Sequence, residues 1–378
     1  MCCGGCASKG SETNELIEMN KRIIAIHLPQ YHPFRENDEW WGKGFTEWTN
    51  VAKARPRFRG HYQPHIPADL GFYDLRLEET RIAQAELAKE YGIYGFCYYH
   101  YWFNGHQLME RPLEEILSSG KPDFPFMLCW ANENWTRAWD GGVRNTLIEQ
   151  TYSEEDDREH IRFLCKKYFK DKRYIRIENK PVFCIYRSTL FPNIEESIAI
   201  MRDEARKFGE ELYICRFESH GIRGEEYLNS GFDAAIDFQP HMGDCLTWFD
   251  YFKKKFNILY NKVFHKLFFT IVDDYEKYVR NTLKDQVDYK RYPCVCPMWD
   301  NSSRRIGMPF YALNNATPQK YEYWLSETMK RFKPFSSEEN LVFINAWNEW
   351  AEGNHLEPDL KWGRAYLEAT KRVSDNYV

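Results

Sequence analysis

Near its C-terminal end the chain reads NEWAEGNHLEPD (348–359), in which Glu349 and Glu352 stand three residues apart beside Trp347 and Trp350. Residues at that spacing on a helical turn have Cβ atoms about 5–6 Å apart. Two carboxyl groups about 5–5.5 Å apart suit retaining glycoside chemistry, whereas inverting enzymes keep theirs about 6.5–9.5 Å apart to admit a water. The pattern E-x-x-E alone is common on exposed helix starts, where acidic side chains favour the positive end of the dipole. The tryptophans change that reading. Burying carboxylates between rings is costly unless their raised proton affinity has a use. The stretch therefore reads as a catalytic pair, Glu349 and Glu352, resting on packed rings.

Such a pair needs a scaffold. The run before it, LVFINAW (341–347), is one of eight short apolar runs rich in β-branched and aromatic residues, the others being 22–28, 92–102, 125–131, 181–187, 212–217, 233–238 and 293–299. Helical periodicity falls at about 77–91, 111–119, 153–170, 194–209, 221–230, 274–288 and 317–332, and again at about 363–375 after the last run. Continuously apolar runs alternating with helices indicate parallel strands buried on both faces. Eight units predict an α/β fold, a (β/α)8 TIM-type barrel, spanning 20–378 as a single catalytic domain. Two connections are long, 29–76 after strand one and 239–290 after strand six, and both read as loops decorating the barrel top. No G-x-G-x-x-G or G-x-x-x-x-G-K-[ST] turn follows the first strand, which removes the usual dinucleotide and NTP signatures.

Barrel active sites sit at the C-terminal ends of the strands. Polar and aromatic residues gather there repeatedly: His27, Gln30 and Tyr31 after strand one, Tyr99, His100 and Trp102 on strand two, Asn132, Glu133 and Trp135 after strand three. Asp237 and Gln239 follow strand six, Trp299 and Asp300 strand seven, and Trp347, Asn348, Trp350 and Glu357 complete the set after strand eight. Carboxylates and amides that hydrogen-bond hydroxyls, beside flat rings that stack on C–H faces, are what a pyranose requires. Each residue also has a plainer reading. His27 reads equally as a satisfied core histidine, Glu133 as a loop brace, and on strand two about half the side chains must face away from the lumen.

Composition agrees with this class. Of 378 residues 17% are aromatic, and the net charge of -5 lacks the basic footprint of a nucleic-acid binder. The 11 cysteines fit neither a zinc pattern nor a disulfide framework, and Cys97, Cys129, Cys184, Cys215, Cys294 and Cys296 lie in strand-like runs as small buried hydrophobes. The opening MCCGGC has no apolar h-region, so 1–19 reads as a flexible, non-catalytic extension. No segment is apolar for long enough to span a bilayer. A cytoplasmic location is expected, with no metal or organic cofactor implied.

The motif blocks resemble a known group. NEWAEGNHLEPD is similar to the catalytic stretch of the family 99 glycoside hydrolases, endo-acting α-mannosidases and α-mannanases with the pattern N-E-W-x-E-G-x-x-x-E-P. AIHLPQYHPFRENDEWWGKGFTEWTNV (25–51), CYYHYWFNG (97–105), WANENWTRAWDG (130–141) and LKWGRAYLEAT (360–370) resemble, more closely, the family-99-like WbsX group of bacterial O-antigen and surface-polysaccharide genes. The resemblance covers about 22–375 and implies the barrel. It also implies that Glu349 is a base, Glu352 an acid/base, and that the sugar's own 2-hydroxyl attacks C1 with overall retention. A raised proton affinity is then expected for Glu352 and a lower one for Glu349. One departure is Ala351, where the hydrolases carry a histidine.

The expected function is thus cleavage or transfer of α-linked, mannosyl-type units on an oligosaccharide or polysaccharide. The alternatives are a glycosyltransferase using an activated sugar donor and an inactive glycan-binding barrel. Separately, 251–272 carries five lysines and seven phenylalanines or tyrosines with no acidic residue. Wound as a helix it would share Phe252, Phe256, Leu259, Val263 and Leu267 on one face. Peripheral contact with the inner membrane face is one reading, and packing over the barrel rim is the other.

Overall fold

The computed structural model describes residues 20–137, 142–241, 252, 255, 256, 259, 271–306, 308 and 310–377. The predicted extension 1–19 and nearly all of the predicted 251–272 helix lie outside them. The barrel strands are β1 (Arg22–His27), β2 (Gly95–Phe103), β3 (Phe126–Trp130) and β4 (Lys180–Ile185). They continue as β5 (Tyr213–Glu218), β6 (Ala234–Asp237), β7 (Arg291–Tyr292 with Cys294–Val295) and β8 (Leu341–Ile344).

Every pairing around this ring is parallel, in the order β6, β5, β4, β3, β2, β1, β8, with the two halves of β7 at its ends. Arg291–Tyr292 pairs with β6, and Cys294–Val295 pairs with β8. Pro293 divides them because it has no N–H to give the ladder. Its carbonyl still accepts from Phe343 N at 2.8 Å, so the seam is bridged and the ring is nearly closed.

The surrounding helices are α1 (Arg35–Trp41), α2 (Glu47–Lys53), α3 (Glu78–Glu90), α4 (Arg111–Ser119) and α5 (Glu154–Lys167). They are followed by α6 (Ile194–Arg206), α7 (Tyr275–Thr282), α8 (Pro318–Arg331) and α9 (Ala365–Ser374). Several starts were written locally. Ser153, Asn193 and Thr317 each accept a backbone N–H three residues on, at 3.2, 3.3 and 3.4 Å, the N-cap geometry that those residue types favour.

Period-two alternation sorts the strand side chains. Ile26 lies level with Cys97, Tyr99 with Cys129, Cys129 with Cys184, and Cys184 with Cys215, so one face of each strand lines the lumen. Those cysteines are free and buried, as small hydrophobes filling a lumen. The opposite face meets the helices.

Two expectations fail. The predicted 221–230 helix is a single 3-10 turn, Glu225–Tyr227, bounded by Gly224 and Gly231 at φ 136° and 100°, values no right-handed helix accepts. The strands Ile271–Asp274, Trp299–Asp300 and Tyr311–Asn314 form an additional three-stranded sheet that the apolar pattern does not announce. Among the described residues no helix is long and apolar enough to cross a membrane.

Candidate active site

The chain leaves β8 and is fastened at once to β1. Asn348 accepts Leu28 N–H on Oδ1 at 2.7 Å and donates from Nδ2 to Leu28 O at 3.0 Å. Tyr31 donates its hydroxyl to Asn348 O and receives Trp350 N–H at 3.2 Å. Asn348–Glu349 then pairs antiparallel with Asn354–His355 around a 3-10 turn, Trp350–Glu352. The expected helical turn is thus a tighter one, in which side chains at i and i+3 nearly eclipse. Gly353 closes it at φ 52°, and a Cβ there would lie 3.0 Å from Asp300 Cβ and 3.1 Å from Asp300 O. Glycine is required by conformation and by space.

Arg304 stands over this turn. It follows β7 on a short 3-10 segment, Asn301–Arg304, and is buried. Its Nε donates to Glu47 Oε1 at 2.6 Å, Nη1 to Glu352 Oε1 at 2.7 Å and Nη2 to Glu349 Oε2 at 2.9 Å. One guanidinium therefore joins three carboxylates from two different loops. Burial pushes Glu349 from 4.5 up to about 8, with Arg304 pulling down and Glu352 pushing further up. Glu352 is also raised by burial, opposed by Arg304 and by nearby Arg305. The expectation of a raised Glu352 holds, but Glu349 is raised as well, because its carboxyl is the more deeply enclosed. Side-chain exposure is 6% for Glu349 and 21% for Glu352. Burial thus raises the proton affinity of both acids, and the Arg304 guanidinium opposes the rise in each.

Both open onto a cleft of about 770 Å³, within the range of small-molecule sites. Its walls are aromatic: Tyr99, Tyr101, Trp135, Tyr152, Tyr186, Phe238 and Trp299. Tyr101 and Trp135 meet edge to face at 5.3 Å, which leaves a ring face for a ligand to stack on. Glu133, ion-paired with Arg187 and beside His220, also lines the cleft.

Of the predicted residues, Glu349, Glu352, Gln30, Tyr99, Glu133, Trp135 and Trp299 line this cleft. The others sit elsewhere, and each placement has a reason. His27, His100 and Trp102 have helix-facing parity: His27 meets Gln84 of α3 at 3.3 Å, His100 meets His160 of α5 at 3.0 Å, and Trp102 Nε1 donates to Asp156 at 2.8 Å. Asp237 is enclosed by His241 at 2.6 Å, Gln239 at 2.9 Å and Arg291 at 3.8 Å. Gln239 also takes the Tyr278 hydroxyl at 2.5 Å. Asn132 bridges the ends of β3 and β4 by accepting Arg187 N–H at 2.8 Å and donating to Arg187 O at 2.9 Å.

Asp300 is held by His61 at 2.6 Å and Gln63 at 2.7 Å. Tyr31, Trp347, Asn348 and Trp350 are packed beneath the turn. Glu357 is buried with them and accepts from Trp350 Nε1 at 2.6 Å, Gln84 Nε2 at 2.6 Å and Tyr73 at 2.9 Å, which makes it a brace for the tryptophan.

Tyr101, at the end of strand two but outside the predicted contact set, also lines the cleft, as do Tyr186, Arg187, His220, Arg304 and Arg305, with Glu47 behind Arg304; the strand-end pattern does not single these out. The signals were thin. Tyr101 has the parity of Tyr99, and the Arg304–Arg305 doublet follows Asp300–Asn301 just past the seventh strand.

Arg304→Met leaves three acids without their shared cation, a loss of about 3–5 kcal/mol for a broken buried pair. Glu349 has a higher proton affinity folded than unfolded, so its contribution to stability falls as pH rises from 4.5 towards about 8. Removing Arg304 deepens that fall. Melts at pH 5 and pH 8 should show a much larger destabilisation of Arg304→Met at pH 8, whereas equal losses would mean that the side chain acts only by packing.

A family model described as Glycosyltransferase WbsX matches residues 23–370. Two proteins of Xanthomonas campestris pv. campestris, strains B100 and ATCC 33913, both named uncharacterized protein WxcX, are each 40% identical over 354 residues, covering 93% of this chain and 49% of the relative. The chain spans about half the length of these curated relatives. Among solved structures, a glycoside hydrolase-like protein aligns with TM-score 0.59 at 13% identity, covering 94% of both chains. The GH99 endo-alpha-mannosidase of Bacteroides thetaiotaomicron aligns with TM-score 0.58 at 13% identity, covering 94% of this chain and 97% of that one. At such identity the likeness concerns the fold, the barrel. With its family model spanning almost the whole described barrel, this chain belongs to the WbsX glycosyltransferase family.

Proposed function

We propose that this chain is a carbohydrate-active enzyme that cleaves or transfers α-linked, mannosyl-type units with retention, in O-antigen or other surface-polysaccharide metabolism. The observation that carries the reading is the pairing of two carboxyls, buried Glu349 and partly exposed Glu352, on one guanidinium at an aromatic-walled cleft. Glu352, the more exposed, is the group placed to protonate a departing glycosidic oxygen. Glu349, deeper and on the same guanidinium, acts as the base towards a sugar hydroxyl. Arg304 donates to one oxygen of each and so fixes their relative position. The rings supply stacking surface, and Gln30 and Glu133 supply hydrogen bonds to hydroxyls. Ala351 is fully buried and takes no part in lining the cleft, so the position where the hydrolases carry a histidine offers no side chain to a ligand.

A donor-dependent transferase is the second reading, favoured by the description of the matched family. We place the reaction on the cytoplasmic side, in keeping with seven free, buried cysteines among the described residues. Peripheral contact through 251–272 belongs to the same proposal. Phe252, Phe256 and Leu259 are exposed and recur at helical spacing.

Incubation with α-mannosides and bacterial surface glycans, with and without nucleotide sugars, separates hydrolysis from transfer. Glu349→Gln and Glu352→Gln should each lower kcat/KM by about 10²–10⁴-fold while the melting curve stays cooperative. Turnover within twofold of the parent in either variant contradicts the assignment. In flotation with anionic vesicles the parent protein should rise with the lipid, and a variant with Phe252, Phe256 and Leu259 changed to serine should not. Equal flotation of the two would remove the membrane contact.

A further inference from the structure

A second cluster lies behind the catalytic turn, on the far side of Trp350. His65 comes from the long loop after β1, and His355 and Asp359 come from the segment after β8. All three are buried, and one ligand atom from each lies within 4.8 Å of the others. His355 Nδ1 is 2.8 Å from Glu357 O, which can only accept, so that nitrogen carries the proton and Nε2 presents its lone pair. The lone pair faces His65 Nδ1 at 2.9 Å and Asp359 Oδ2 at 3.9 Å. Asp359 Oδ1 is already taken by the N–H groups of Lys361 at 3.0 Å and Trp362 at 2.6 Å. That leaves Oδ2, with the Tyr62 hydroxyl at 3.1 Å, turned to the imidazoles.

We propose that His65, His355 and Asp359 bind a borderline divalent cation, zinc in the first place. Two imidazole nitrogens and one carboxylate oxygen form a zinc donor set. Metal-ligating histidines generally donate the other ring nitrogen to a carbonyl or carboxylate, as His355 does to Glu357 O. Zinc–nitrogen bonds of about 2.0–2.1 Å put two tetrahedral ligands about 3.3 Å apart, so the imidazoles need part by only a few tenths of an ångström. His65 also lines a separate cavity of about 130 Å³ with Tyr62, Asp300 and Lys361, and this can supply a water as fourth ligand.

The cation would join the loop carrying His65 to the segment carrying Trp350, whose ring stacks on His355 at 3.7 Å. It is a fastening for the catalytic turn, not a participant in the reaction, and it stands whether or not the glycosidic reading does. The two histidines are 290 residues apart, so no local spacing pattern announces the site in the sequence.

The test is metal stoichiometry on the full chain. After chelation, dialysis and reloading at micromolar free zinc, mass spectrometry should find about one more equivalent on the parent protein than on His65→Gln. Cobalt should give a tetrahedral visible spectrum in the parent alone. Asp359→Asn, which retains Oδ1 for the turn, should bind far more weakly while still folding, and the melting temperature of the parent should fall on chelation and recover on reloading. Equal zinc on parent and His65→Gln, or a melting temperature unmoved by chelation and zinc, would show that the pair is a plain imidazole–imidazole hydrogen bond and overturn the proposal.

Discussion

The placement of Arg304 among Glu47, Glu349 and Glu352 constrains everything else at the barrel mouth. A guanidinium taken out of water must be matched by carboxylates, and carboxylates taken out of water must be matched by a cation. Neither the loop after β1, nor the segment after β7, nor the turn after β8 can settle alone. The three-way ion pair selects the one arrangement in which all of them do. Burial in the cluster pushes Glu349 and Glu352 above the ordinary carboxylate range, the direction a general acid needs. The charge matching that organises the loops and the raised proton affinity of the two acids have one electrostatic origin.

The rest of the structure delivers residues to that point by strand parity. Leu28, Tyr99, Tyr101, Ala131, Tyr186, Ser219 and Phe238 continue the lumen-facing rows and become the cleft wall. Residues one step out of phase, His27, His100 and Trp102, face the helices and find partners there. A one-residue slip in β2 would exchange Tyr99 and Tyr101 for His100 and Trp102 and leave the cleft without its platform.

Much of this could be read from the chain. All eight apolar runs are barrel strands, because strands buried on both faces leave an unbroken hydrophobic signature. The pair at 349 and 352 could be read because tryptophans beside carboxylates have no cheap structural explanation. Parity within β2 could not be decided, since GFCYYHYWF is aromatic on both faces and gives no polar alternation to count. The seventh run was read from Pro293 onward, so the half of β7 that precedes the proline, Arg291–Tyr292, was missed. Arg304 and Glu47 were invisible for another reason: they are 257 residues apart, and nothing local to either says that the other is its partner. The 221–230 helix was overcounted because Gly224 and Gly231, both at positive φ, bound a segment that holds only a single 3-10 turn.

The most direct measurement is infrared spectroscopy of protonated carboxyl groups in the unliganded protein across pH 5 to 9. A protonated carboxyl band should persist at pH 7 in the parent, weaken on titration towards pH 9, and change in Glu349→Gln and Glu352→Gln. If the parent shows no protonated carboxyl above pH 5, or the same band survives in both variants, Arg304 does not hold a proton-sharing pair at the cleft floor.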